Sequence, residues 1–107
     1  MKSHKNSSSD VLKFISKFKA SNPTEIEKNF LYGNCYWFAE ILQERFNGII
    51  IYYPIENHFV TRIRDIEYDI SGITSFDREK GYEWDRYFSI DELDYVRVYY
   101  YCILKED

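Results

Sequence analysis

This sequence has little of what marks several common classes of protein. Its 107 residues include four glycines, and they form no phosphate-binding glycine loop. No apolar run approaches the roughly 20 residues that span a bilayer. The N-terminal segment MKSHKNSSSD lacks the apolar stretch of a signal peptide. We therefore expect a cytoplasmic protein that has no membrane partner.

Cysteine and histidine are also scarce, with two of each in the chain. Their positions have no zinc-ligand spacing, so we predict no metal and no other cofactor. A chain with 45% hydrophobic residues and no export signal does not need a disulfide for stability. We expect Cys35 and Cys102 to be reduced, and Cys102, within the apolar run YYYCIL, to be a core residue.

Positive charge is in deficit, because 14 Lys and Arg stand against 18 Asp and Glu, and 14 − 18 = −4. Duplex nucleic acid is therefore a disfavoured partner. An aromatic content of 20% is high, and the composition is that of a globular rather than a disordered chain. The length is sufficient for one modest core but not for two. We predict a flexible polar tail over residues 1–9 and a single domain over residues 10–107.

The first half of the chain shows helical periodicity. Asp10 is a good N-cap, and the apolar residues after it recur at helical spacing as far as Phe18, which predicts a helix ending near Ala20. Thr24 and Glu27 have the spacing of a capping box, so a second helix is expected to follow and to run to about Leu31.

A third helix is predicted to begin at Cys35. Gly33 suits the end of the preceding helix, and the side chain of Asn34 is expected to cap the new one. Asn47 and Gly48 are predicted to end this helix. Its apolar stripe predicts a buried face that begins with the cysteine itself: Cys35, Phe38, Ala39, Leu42, Phe46.

The second half of the chain has strand patterns. IIIYY, residues 49–53, is apolar on both faces and indicates a central strand. His58 to Ile63 and Ile66 to Ile70 alternate and predict a hairpin around Arg64 and Asp65. Residues 71–88 read as a long loop, 89–94 as a single helical turn and 95–104 as a final strand. Helices followed by a mainly antiparallel sheet of about four strands predict an α+β domain.

The hairpin register sets two polar residues side by side. If Ile63 opposes Ile66, then Val60 opposes Asp69, and His58 is a diagonal neighbour of Asp69, about 7–8 Å away at the backbone. Both lie on the more polar face of the hairpin, where a carboxylate can hold an imidazole. Two simpler roles for Asp69 remain open at this point, a cap for the following turn and a pair with Arg62.

The same register raises a geometric difficulty. The opposite face of the hairpin carries the apolar residues that predict the core, including Phe59 and Ile70. If the third helix packs on that face, His58 points away from Cys35. The two side chains then meet only if the strand ends curl or a bulge turns His58.

Cys35, His58 and Asp69 are the candidate catalytic residues. A thiolate is stabilised at a helix N-terminus and by a nearby imidazolium, and it attacks carbonyl carbons. An imidazole moves the proton, and a carboxylate orients the imidazole. Each residue also has a structural interpretation, since free cysteines are among the most buried residues and a buried histidine is commonly structural.

The segments NCYWFAEIL, NHFV and YDISG, within residues 30–72, resemble the papain-like NlpC/P60 and CHAP superfamily of cysteine peptidases and amidases. The resemblance implies a helix-borne nucleophile packed on an antiparallel sheet, with Cys35 as nucleophile, His58 as general base and Asp69 as orienting acid. The glycine that usually precedes the histidine is Asn57 here. The chain also resembles small proteins of phages and mobile elements of Gram-positive bacteria.

Two functions follow as hypotheses. The first is a cysteine-dependent hydrolase or acyltransferase that cleaves an amide, isopeptide or thioester bond in a protein or peptide-like substrate. The second is a non-catalytic protein that binds and inhibits a host protein through an acidic and aromatic surface. That surface would be formed by a run of acidic and aromatic residues late in the chain: Asp77, Glu79, Tyr82, Glu83, Trp84, Asp85, Tyr87, Phe88, Asp91, Glu92, Asp94.

Overall fold

A computed structural model describes residues 7–31 and 34–84 of the chain. The predicted helical turn at 89–94, the predicted strand at 95–104 and Cys102 lie outside the described residues. So does most of the predicted tail. The account below is of the three helices and the sheet that the described residues form.

The three predicted helices are all present. They are α1 (Ser8–Phe18), α2 (Pro23–Leu31) and α3 (Cys35–Phe46). The predicted N-cap of α1 is wrong, because Ser7 and not Asp10 takes that position, and the Ser7 hydroxyl accepts from the Asp10 amide at 3.2 Å. α2 begins at a proline. Proline is well tolerated at the first position of a helix, because the N–H that it lacks would have no partner within the helix there.

The sheet is antiparallel and follows the helices along the chain, which confirms the α+β prediction. Its strands are β1 (Ile49–Tyr53), β2 (His58–Ile63), β3 (Ile66–Asp69), β4 (Gly72–Ile73) and β5 (Tyr82–Glu83), in the spatial order β4-β3-β2-β1-β5. The prediction of a plain loop after residue 71 is wrong in its described part. That part holds β4, a 3₁₀ turn at Arg78–Lys80 and β5, elements too short to show periodicity.

The hairpin of β2 and β3 has the predicted register, with Ile63 opposite Ile66 and Arg62 opposite Glu67. α3 packs on the face that carries Thr61, whose hydroxyl donates to the Ala39 carbonyl at 2.8 Å. We call this the inner face. Its main core cluster joins α1, α3 and the hairpin: Val11, Ile15, Phe38, Leu42, Phe46, Ile63, Tyr68, Ile70.

The other face of the sheet, the outer face, is also covered. Ile51, Tyr53 and Val60 are buried there, and Phe76 packs against them. Phe76 belongs to residues 74–84, which we call the strap. The strap crosses the outer face and ends as β5 on the edge of β1, where Tyr82 pairs with Tyr52.

Gly48→Ala should destabilise the fold. A Cβ at this position would lie 2.7 Å from the Thr61 Cγ2 and 2.8 Å from the Arg62 carbonyl oxygen. Neither neighbour moves easily, because the Arg62 atom belongs to the backbone of β2 and the Thr61 side chain is hydrogen-bonded to the backbone of α3. We expect a loss of about 1–3 kcal/mol in the free energy of unfolding, measured by urea denaturation. The control is Asn47→Gly, where the residue already has a φ of 58° and the expected change is under about 0.5 kcal/mol.

Candidate functional site

Cys35 is the first residue of α3, as predicted, and its sulfur is not part of a disulfide. Asn34 occupies the N-cap position, but its side chain makes no capping hydrogen bond and donates instead to the Asn29 carbonyl at 3.3 Å. The predicted side-chain cap is therefore wrong. Cys35 is 3% exposed and packs with Ala39, Tyr52 and other members of a second core cluster. Its position thus agrees with a core residue as well as with a helix-end thiol.

His58 connects the other two candidate residues. It is the first residue of β2, and its Nε2 donates to the Asp69 Oδ2 at 2.9 Å. The His58 side chain is also hydrogen-bonded to that of Cys35. Because Asp69 takes Nε2, the ring nitrogen that remains for the thiol is Nδ1. The structure therefore brings all three side chains into one hydrogen-bonded row.

The difficulty with the facing of His58 is real but does not separate the residues. Alternation along β2 places His58 on the outer face with Val60, and its ring lies 5.7 Å from that of Phe76. α3 packs on the inner face. His58 nevertheless reaches Cys35, and it does so from the first position of β2.

Asp69 combines two of the roles considered for it and lacks the third. Its Oδ1 accepts from the Ser71 amide at 2.8 Å and from the Ser71 hydroxyl at 2.5 Å, which makes it a cap for the turn after β3. Its Oδ2 accepts from His58. Arg62 pairs with Glu67 instead, at 2.7 Å. Asp69 is 6% and His58 7% exposed, so the expected polar face is a buried one.

The row has a defined charge state at neutral pH. Burial alone lowers the pKa of His58, but the hydrogen bonds with Asp69 and Cys35 outweigh burial and raise this pKa to about 9. Burial by itself raises the pKa of Asp69. The hydrogen bonds from His58 and Ser71 lower this pKa by more than burial raises it, so that the net shift is downward. An imidazolium beside an ionised carboxylate follows. The protonated ring contributes most to stability below pH ~6.5, and this contribution disappears as the pH rises through about 9.

The residue before His58 has an unusual backbone. Asn57 has a φ of 52°, in the left-handed region that glycine and asparagine tolerate best. Its Oδ1 accepts from the Tyr52 hydroxyl at 2.6 Å, inside the protein. Sequence reasoning did not identify Tyr52, because a tyrosine in an apolar strand carries no signal of such a contact.

Within residues 7–31 and 34–84, no cluster of three or more His, Cys, Asp and Glu side chains has an arrangement that could hold a metal ion. Among the helices of these same ranges, none is long and apolar enough to cross a membrane.

Comparison with known protein families gives a match. A family model described as "Phage YunG-like protein" matches residues 14–98. This range includes Cys35, His58 and Asp69. No curated protein and no solved structure matches the chain.

The imidazole of His58 should titrate near pH 9, against about 6.5 for an ordinary histidine. The chain has two histidines, so His4→Gln leaves His58 as the single imidazole to follow by NMR. Asp69→Asn in the same background should lower the pKa, because it removes the carboxylate that favours the imidazolium. A pKa near 6.5 in both proteins would show that Asp69 does not hold the charge of the ring.

Substitutions at Asn57 should separate its hydrogen bond from its backbone conformation. Asn57→Gly keeps the left-handed conformation and loses the bond from Tyr52, for an expected cost of about 1 kcal/mol. Asn57→Ala loses both and should cost about 1–2 kcal/mol more, measured by urea denaturation. Tyr52→Phe is the matched control and should resemble Asn57→Gly. Equal stability of the Gly and Ala variants would contradict a backbone role.

Proposed function

This chain belongs to the phage YunG-like family, and we propose for this small phage protein a catalytic activity: cysteine-dependent hydrolysis or acyl transfer at an amide, isopeptide or thioester bond. The observation that carries the proposal is the hydrogen-bonded row of Cys35, His58 and Asp69. The description of the matched family names no activity, so catalysis is inferred from this geometry.

Each member of the row has the partner that its role requires. Asp69 holds Nε2 of the ring and is itself held by Ser71, which fixes the imidazole and directs Nδ1 to the thiol. The imidazolium favours the thiolate form of Cys35, since an adjacent positive charge stabilises the anion. The N-terminus of α3 adds the positive end of the helix dipole at the same sulfur.

The reaction then has two steps. The Cys35 thiolate attacks the carbonyl carbon, the bond to the leaving amine or thiolate breaks, and His58 donates its proton to the leaving group. Water next attacks the acyl-cysteine with His58 taking its proton, and the acid is released with the thiol restored; an amine in place of water gives acyl transfer. We assign the amide N–H of Cys35 as one donor to the oxyanion.

The order of these residues on helix, strand and next strand is similar to that of the NlpC/P60 and CHAP enzymes, with Cys35, His58 and Asp69 in the corresponding roles. Asn57 departs from their glycine but has the backbone conformation that glycine readily takes. This similarity supports a peptide-like substrate. It does not choose among amide, isopeptide and thioester bonds.

A specific observation favours the second candidate function. Cys35 is 3% exposed, which suits a core thiol better than an open nucleophile. On the strap, Tyr82 is 52% exposed, and Asp77 and Glu79 are exposed beside it. A non-catalytic phage protein that binds a basic surface of a host protein through these side chains accounts for both facts.

The test compares Asp69→Asn with Glu56→Gln, an exposed carboxylate in the turn before His58, in a Cys102→Ala background. Iodoacetamide alkylation should depend little on pH between about 6 and 8 in the background protein, whereas an ordinary thiol slows about tenfold per unit below its pKa. Asp69→Asn should restore the ordinary profile and abolish acetylation of Cys35 by p-nitrophenyl acetate, followed by mass spectrometry. Glu56→Gln should change neither.

Cys35→Ser should abolish the same acetylation without loss of the fold. An ordinary alkylation profile and no acetyl adduct in the background protein would contradict the enzyme. Asp69 is buried, so its variant is also expected to lower the melting temperature. The pH profile separates the two effects, because a purely structural role for Asp69 would lower the melting temperature while leaving the profile unchanged.

A further inference from the structure

The strap passes over both sides of the sheet at the candidate site. It starts where the Thr74 amide donates to the Glu67 carbonyl at 2.9 Å, and it then crosses the outer face. At its end, Glu83 pairs with Ile51 at the edge of β1. Trp84 follows and packs on the inner face, in the cluster that contains Cys35.

Two aromatic side chains of the strap connect it to the surroundings of the two reactive groups. The Phe76 ring lies 5.7 Å from that of His58 and 5.0 Å from that of Tyr53. The Trp84 ring lies 4.9 Å from that of Phe59 and packs against the second core cluster, to which Cys35 belongs. One segment thus packs near the imidazole on the outer face and against the cluster of the thiol on the inner face.

Between its ends, the strap has few anchors. Ser75 and residues 77–80 are exposed, and Phe76 is the side chain of this stretch that packs into the protein. A segment with so little buried apolar surface opens more readily than the strands beneath it. The strongest side-chain attachment of the 3₁₀ turn is Arg78, whose Nη1 donates to the Asp65 carbonyl at 3.1 Å.

Arg78 also lies near a buried carboxylate that does not depend on it. Its Nε is 3.5 Å from the Glu67 Oε2. That carboxylate accepts from Arg62 at 2.7 Å and from the Tyr53 hydroxyl at 2.5 Å. If Arg78 leaves, Glu67 keeps a cation and a hydroxyl donor. Loss of the Arg78 contacts therefore strands no buried charge, and its cost is that of a partly exposed contact.

We propose that the strap, residues 74–84, is a lid over Cys35 and His58, and that Arg78 is its latch. The proposal rests on the proposed function for its purpose, since a thiol that is 3% exposed cannot receive a substrate until its cover moves. In the closed state, Phe76 and Trp84 shield the two reactive groups. In the open state, Phe76 has left the outer face and Trp84 has left the cluster of Cys35, while the three helices and β1 to β3 keep their packing.

The test is access to the thiol in the Cys102→Ala background. Arg78→Gln should raise the rate of Cys35 alkylation by iodoacetamide about fivefold, as expected when a contact of this kind is lost. Lys80→Gln is the matched control, because it removes the same charge from an exposed residue of the same turn. It should leave the rate unchanged. Phe76→Ala should raise the rate at least as much as Arg78→Gln.

Amide hydrogen exchange locates the opening. Arg78→Gln should speed exchange at Lys80 and Gly81 and leave β2 protected, whereas faster exchange throughout the sheet would overturn the lid. Equal alkylation rates in Arg78→Gln and Lys80→Gln would also overturn it. These outcomes are independent of catalysis. Faster alkylation in Arg78→Gln together with no acetyl adduct on Cys35 would contradict the enzyme and support the lid. An acetyl adduct on Cys35 together with equal alkylation rates in the two variants would support the enzyme and contradict the lid.

Discussion

The hydrogen bond between His58 and Asp69 is the interaction on which the rest of the site depends. It joins two groups that are 7% and 6% exposed, so loss of either one would leave the other charged and buried without its main partner. Ser71 fixes the carboxylate, and the carboxylate fixes the ring. The ring can then meet Cys35 at the start of α3.

The outer face of the sheet holds a second buried carboxylate with a cationic partner, two residues away along β3. Glu67 and Asp69 stand two residues apart on the same face, and each buried carboxylate has its own cation, Arg62 for the first and His58 for the second. In the described residues, no buried side-chain nitrogen or oxygen lacks a hydrogen-bond partner. The strap closes over both pairs, so the same segment shields a structural ion pair and a candidate catalytic one.

Burial gives the site two opposite properties. It strengthens the contact between the His58 imidazolium and the Asp69 carboxylate. Burial also keeps the sulfur of Cys35 away from any substrate. An enzyme needs a cover that moves, and a binding protein does not. The distinction between the two candidate functions is therefore a distinction about the strap, whose Phe76 lies near His58 and whose Trp84 packs against the cluster of Cys35.

Local patterns determined much of this protein. The apolar stripe from Cys35 to Phe46 placed α3, and the alternation around Arg64 and Asp65 set the register that makes His58 a neighbour of Asp69. Only the tertiary structure decided that His58 reaches Cys35, because that contact depends on how α3 meets the end of β2. Burial of the polar face was likewise decided there, since β5 and the strap are held by contacts distant in sequence, which no local periodicity encodes.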